Sequence, residues 1–370
     1  MKKVRTSRFL AVVMAVLMMS VAVFALAACE KESDVNTDTP VAGDDTDITM
    51  GTTKVDIYNT DVKLLYVPIG DAGPAFEMAR YAIEDTLKFL PNVTVDIKPA
   101  EYDPTKQADI ITDAIGQGYQ GIFFEAMDPI VSQGPIEKAE AAGIPVITVN
   151  LNSQAVHTLF IQGNDYKSGY QAGEILGAAI DGKGNALTLN APAAQAATSQ
   201  MIPGFQDALK DNYPDITFLE DFPCEGWQSS EAANNMKSAL TKYDKIDIVY
   251  AASDDLADGA INAIKEAGRE NEIKVYGSMG YPQALQRIKD GTQFGSYFAD
   301  GYSQFQVVVY QMLYYVQNGL NATVLGYTDT PTLDMPTTPI TKDGNLAGSV
   351  SVDQVIENSR WKVVMPDAFK

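Results

Sequence analysis

The 370-residue sequence is poor in the residues from which catalytic and metal centres are usually built. It has one histidine, His157, and two cysteines, Cys29 and Cys224. Zinc sites draw mainly on Cys and His, and serine or cysteine nucleophiles need an imidazole base, so most metallohydrolase and Ser-His-Asp chemistry is excluded. No cofactor and no metal are expected. Two cysteines cannot form a disulfide framework, and the fold must stand on its hydrophobic core. Basic residues are also scarce: 27 Lys and Arg stand against 48 Asp and Glu, a formal charge of −21. Such a surface repels phosphate backbones and no basic cluster offsets it, so nucleic acid is not a partner. An arginine cluster or glycine-rich cradle is equally absent, which disfavours a phosphorylated ligand.

What is present begins with an address. Lys2, Lys3, Arg5 and Arg8 precede an apolar run from Phe9 to Ala28, broken only by Ser20, the layout of a secretory signal. The run ends in Leu26-Ala27-Ala28-Cys29, which resembles a bacterial lipobox. That resemblance implies a signal peptide over 1–28 and a lipid on Cys29, with Cys224 left unpaired. An uncleaved membrane helix is the alternative, since about 20 apolar residues can span a bilayer, but it gives the small-small-Cys ending no purpose. Loss of the four basic residues takes the formal charge to −25. Residues 29–61 are rich in Asp, Glu, Thr and Gly and read as an acidic disordered tether.

Beyond the tether, roughly 310 residues with ordinary apolar content suffice for two cores. Strand-like runs at 63–69, 93–98, 121–124 and 145–149 alternate with helical spacing at 74–89, 105–117 and 130–142. A second series follows from Asn164, with strands at 186–189, 216–220, 246–251, 273–276 and 294–298. Its helices are expected at 166–180, 199–211, 229–242, 254–267 and 281–289. The amphipathic segment 303–317 has too much apolar surface for a linker and is placed back on the first lobe. Crossings are expected near Gly163, Asp300 and Pro331, a multi-strand hinge that permits rigid-body closure. The predicted lobes are 62–163 plus 300–330, and 164–299 plus 331–370; the last stretch should hold one strand and a short helix near 352–358.

Several landmarks fall in a telling order: Gly116-Gln117-Gly118-Tyr119-Gln120-Gly121-Ile122, Ala142-Gly143-Ile144-Pro145, Asn164-Asp165-Tyr166-Lys167-Ser168-Gly169, Pro203-Gly204-Phe205 and Ser253-Asp254-Asp255-Leu256-Ala257-Asp258-Gly259. Over residues 62–330 the chain resembles the type 1 periplasmic binding proteins of the ribose and galactose kind. The resemblance implies an α/β fold of two Rossmann-like lobes with parallel sheets joined by a multi-crossing hinge. It also implies a sugar in the interlobe cleft and delivery to an ABC permease.

Physical reasoning locates the site independently, because ligands in open parallel sheets sit beyond the carboxyl ends of the strands. Those ends carry Asp71, Phe76, Glu125, Asp128 and Asn150 in the first lobe. The second offers Gln195 and Ser199, Trp227, Ser253, Asp254 and Met279, with Asp300 at the hinge. Carboxylates and amides suit sugar hydroxyls, and aromatic faces suit the C–H patches of a ring. Each has a plainer alternative. Phe76 and Trp227 could be core, Asp254 a helix cap, and Glu125 with Asp128 a solvated loop pair. The chain departs from the family where an Asp-Arg pair is replaced by Asn150-Leu151, and an arginine by Ser199 or Gln200. An aspartate after Gly277 gives way to Ser278-Met279, and the hinge glutamine to Ala299-Asp300. These losses of charged anchors leave a modified sugar, glycoside, nucleoside or polyol open.

No catalysis is expected: Glu125 and Asp128 could imitate a glycosidase, but nothing in the sequence fixes their separation. A repressor core shares the fold, yet a secretion signal stands where a helix-turn-helix would. The sequence therefore reads as a monomeric solute-binding lipoprotein on the outer face of the cytoplasmic membrane, serving an ABC importer. The competing reading is a receptor that presents its solute to a sensor kinase or chemoreceptor.

Overall fold

A computed structural model describes residues 54–192 and 200–369. The signal, Cys29, most of the predicted tether, Gln195 and Ser199 lie outside the described residues. The first βα series is β1 (Val62–Val67), α1 (Pro74–Leu87), β2 (Val93–Ile97), α2 (Pro104–Ala114), β3 (Gly121–Phe124), α3 (Gln133–Ala141), β4 (Val146–Val149) and β5 (Leu159–Gly163). β3 and β4 are buried at every residue, as strands covered on both faces must be. Local chemistry sets the helix starts: Pro104 stands in the first turn of α2, and the Asp103 carboxylate accepts the N–H groups of Thr105 (2.8 Å) and Lys106 (3.1 Å).

The second series runs α4 (Asp165–Ala179), β6 (Gly184–Asn190), α5 (Met201–Asn212), β7 (Ile216–Pro223), α6 (Ser229–Lys242), β8 (Ile248–Ala251), α7 (Asp254–Glu266), β9 (Lys274–Tyr276), α8 (Pro282–Asp290) and β10 (Gly295–Ala299). After it come α9 (Gly301–Asn318), α10 (Ala322–Leu325), β11 (Thr332–Met335), β12 (Thr337–Thr341), β13 (Val350–Ser351), α11 (Val352–Asn358) and α12 (Trp361–Val364).

The strands form two sheets. One has the order β11-β5-β4-β3-β1-β2 and is parallel throughout; the other is β13-β12-β10-β9-β8-β6-β7, with only β10 and β12 antiparallel. Within each, the first five strands of the series follow the same doubly wound order, so each half has its own switch point where a crevice opens beyond the strand ends. The chain passes between the sheets at β5 to α4, β10 to α9 and β11 to β12. The last passage lies at Pro336, because Thr332–Met335 pairs with Leu159–Gly163 before the chain leaves the first sheet. β5 itself has no counterpart in the sequence expectation, which ended the first series at Val149.

Two cores result. Phe305, Val308, Val309 and Met312 of α9 pack with Val62, Leu64, Tyr66 and Phe123 of the first sheet. In the second, Phe205 of α5 stacks on Tyr250 of β8 with ring centroids 5.1 Å apart. The landmark glycines have a packing reason. A Cβ on Gly169 would sit 1.8 Å from the Met201 carbonyl oxygen, and one on Gly204 would sit 2.2 Å from that of Tyr166, so α4 and α5 touch backbone to backbone. The C-terminal residues Val352, Ile356 and Trp361 close a smaller cluster with Leu285 and Ile288 of α8 and Met78 of α1.

Candidate ligand-binding site

Residues from the carboxyl ends of both sheets converge on one cavity. Asn150 and Leu151 follow β4, Gln162 ends β5, Asp165 opens α4, Trp227 follows β7, Met279 follows β9 and Tyr297 lies on β10. The cavity volume is ≈ 40 Å³, room for a few water molecules where one needs about 10–15 Å³. A sugar-sized solute therefore needs the walls to part. A roomier groove of ≈ 370 Å³ lies at Asp181, Lys183, Tyr213 and Asp215, but it is at the amino end of β6, the wrong end of the sheet for a doubly wound site.

Three of the sequence candidates, Asn150, Trp227 and Met279, line the cavity, and all three hold a left-handed backbone, with φ of 58°, 56° and 99°. Only seven non-glycine residues do so among those described, and such strain persists where surrounding structure over-determines it, commonly at functional sites. Asn150 accepts a hydrogen bond from Gln304 Nε2 (2.8 Å), which fixes the amide and leaves its NH2 group free to donate. The Trp227 backbone N–H donates to the Cys224 carbonyl (3.2 Å), while the Gly226 backbone N–H donates to the Glu231 carboxylate (2.7 Å), so the indole stands on a braced turn. The Tyr297 hydroxyl donates to the Met279 sulfur at 3.7 Å.

The other candidates are placed differently. Asp71 is exposed, and Phe76 is half-buried in the first turn of α1. Asp128 caps its own turn, one oxygen accepting the N–H groups of Ile130 (2.8 Å) and Val131 (2.9 Å). Ser253 caps α7 through Leu256 N–H (3.2 Å). Asp254 is fully engaged by the fold, with Gln293 Nε2 (3.0 Å) and Ser296 Oγ (2.9 Å) on one oxygen and Tyr281 N–H (2.9 Å) on the other. Burial still pushes its carboxyl up to about 6. Asp300 precedes α9 and accepts from Ser303 Oγ (2.6 Å). None of these lines the cavity.

Glu125 is buried and does not line the cavity. Tyr66 donates to its Oε1 (3.0 Å), its Oε2 has no partner, and burial pushes the carboxyl up to about 7 despite the tyrosine bond. Gln107 pins the loop by donating to the Glu125 carbonyl (2.9 Å) and accepting from Met127 N–H (3.1 Å). From the second half, the Tyr281 phenol is raised by burial first and then by Asp255, Asp254 and Glu125. His157 is a core residue: Thr148 meets Nε2 at 2.7 Å, Nδ1 meets the Ala155 carbonyl at 2.8 Å, and burial pushes the imidazole down to about 4.

Asp165, Gln162 and Tyr297 were missed on sequence. Burial, and then the charge of Asp334, pushes the Asp165 carboxyl up to about 7. The one available signal was its place immediately after the cap Asn164, at a crossing between the sheets.

With this geometry in view, comparison with known proteins is informative. A family profile described as a periplasmic binding protein domain matches residues 65–320. A xylitol-binding protein of Mycolicibacterium smegmatis is 29% identical over 249 residues, covering 66% of this chain and 69% of the relative. A solved ABC transporter solute-binding protein of Bacillus halodurans with bound myo-inositol has a TM-score of 0.68 at 20% identity, over 80% of this chain and 98% of that one. The fructose-binding periplasmic domain of a hybrid two-component system has a TM-score of 0.66 at 23% identity, over 83% and 99%.

Proposed function

The chain belongs to the periplasmic binding protein domain family, and we propose that it captures a sugar or polyol outside the cytoplasm for an ABC importer. The observation that carries this reading is the convergence of Asn150, Trp227 and Met279, each held at positive φ, on one cavity fed by both sheets. Binding, rather than catalysis, is what such a wall can do: amides and a carboxylate address hydroxyls, and the indole and thioethers address ring carbons. The likeness to a xylitol-binding relative supports a polyhydroxylated solute.

In this mechanism the two halves, 62–163 plus 300–335 and 164–299 plus 336–370, part to admit solute and close on it. Solute touches both only in the closed form, so its differential affinity shifts the open and closed populations, and the closed form docks on the permease. Cys29 carries the lipid, the tether ends before Val55, since Ile57 is buried in the first core and the Val55 N–H donates to the Gln317 carbonyl (3.1 Å), and the protein works as a monomer. Mass spectrometry of membrane-extracted protein tests the anchor, an unmodified residue 29 arguing against it, and sedimentation tests the monomer.

A thermal-shift screen of sugars, polyols and nucleosides tests the function, since a ligand of the folded state raises the melting temperature by mass action. Trp227→Ala should then weaken the best ligand by about tenfold or more with the fold intact. Unchanged affinity would remove Trp227 from the site. One observation favours a second reading: the likeness to a two-component sensor domain fits a receptor that presents solute to a kinase. Uptake of the identified solute, lost on deletion of this protein, separates the two.

A further inference from the structure

The charge balance of the cavity points to a narrower class of solute, an inference that rests on the cavity being the ligand site. Asp165 lines it and is only 9% exposed. Among the described residues no hydrogen bond to its carboxylate is found, and the groups that face it from packed elements are Asp334 of β11 and the phenols Tyr250 of β8 and Tyr297 of β10. Asp334 is itself held by the amides of Gln162 (3.2 Å) and Asn164 (3.2 Å). Neither Lys, Arg nor His is among the described residues of the wall. A carboxylate withdrawn from water without a counter-ion is costly, and no described residue of the wall supplies one. The same wall carries Trp227, Tyr297 and Phe160, rings whose faces attract cations, Trp most strongly.

We propose that the solute carries a protonated amine, an amino sugar or amino polyol, whose ammonium pairs with Asp165 while its carbon skeleton lies against Trp227 and Tyr297. The solute then completes the charge pair that the fold leaves open. Because the isolated carboxyl holds its proton until near neutrality, pairing displaces that proton, and binding at pH 6.5 releases it to buffer.

The test titrates the full chain in detergent, by calorimetry at pH 6.5, with D-glucosamine against D-glucose, D-galactosamine against D-galactose, and glucamine against sorbitol. At least one amine should bind about tenfold tighter than its neutral counterpart, with proton release scaling with buffer ionisation enthalpy. Asp165→Asn should bring that ratio near one. Neutral members binding as well as the amines, or a preference that survives Asp165→Asn, would overturn the proposal and leave the sugar-binding reading standing. Silence across the whole panel would overturn both. Removing a buried unpaired charge should not lower the unliganded melting temperature; if Asp165→Asn does lower it, the wild-type proton release decides alone, and its absence on amine binding overturns the proposal.

Discussion

The two halves of the molecule each place a buried carboxylate in the loop after the third strand of the same strand order, and they use it differently. Glu125 follows β3 and Asp254 follows β8, each the third strand of its series. Asp254 takes three hydrogen bonds from the backbone of Tyr281 and the side chains of Gln293 and Ser296, so it ties α7, α8 and β10 together. Glu125 takes one, from Tyr66, and keeps an unpartnered oxygen. A saturated buried carboxylate specifies a fold, whereas an unsaturated one retains capacity for something outside it. The comparison separates a saturated carboxylate from an unsaturated one within one sequence.

Removing the saturated carboxylate should produce the largest effect. Asp254→Ala orphans three donors, and urea denaturation should register a loss of about 3 kcal/mol. A loss under about 1 kcal/mol would erase the distinction between the two carboxylates.

The next effect is a pH dependence carried by Glu125. Its unfolded carboxyl titrates near about 4.3 and its folded one at about 7, so between those values the folded chain holds more protons. Its contribution to stability is full below about pH 4 and lost as pH rises through about 7. Measured against Glu125→Gln, the wild type should lose on the order of 2 kcal/mol from pH 4 to 7.5. The difference isolates Glu125 from His157, whose depressed value acts in the opposite direction, its stability being lost as pH falls towards about 4. A flat difference curve would contradict the assigned burial.

The smallest effect belongs to Asp71, which is exposed and outside the cavity wall. Asp71→Asn should change stability by under about 0.5 kcal/mol and affinity by less than about twofold. A larger loss of affinity would place the first-strand loop against the solute after all.

The alternation of buried runs and amphipathic segments made both sheets legible in the sequence, because a parallel sheet covered on both faces needs short continuous apolar strands. β5 escaped because Leu159–Gly163 follows an irregular stretch from Asn150, and its glycine blends into the cap of α4. The third crossing was misplaced by a few residues because Thr332–Met335 alternates exposed and half-buried side chains, as an edge strand does, and gives little apolar signal. Asn150, Trp227 and Met279 were legible as residues just past strand ends. Asp165 was not, since an acid in a first helical turn has an ordinary local role. What distinguishes it, burial in the cavity wall beside Asp334 and Tyr297, exists only once β10 and β11 pack beside it.

The sequence has two tryptophans, and Trp361 is buried in the C-terminal cluster with its indole N–H donating to the Gly280 carbonyl (3.0 Å). With Trp361→Phe in place, Trp227 becomes the only indole and its emission reports the cavity wall alone. Closure of the two halves on solute predicts a saturable emission change whose midpoint equals the Kd measured by calorimetry. Calorimetric binding with no change in Trp227 emission would put the solute elsewhere and contradict the account.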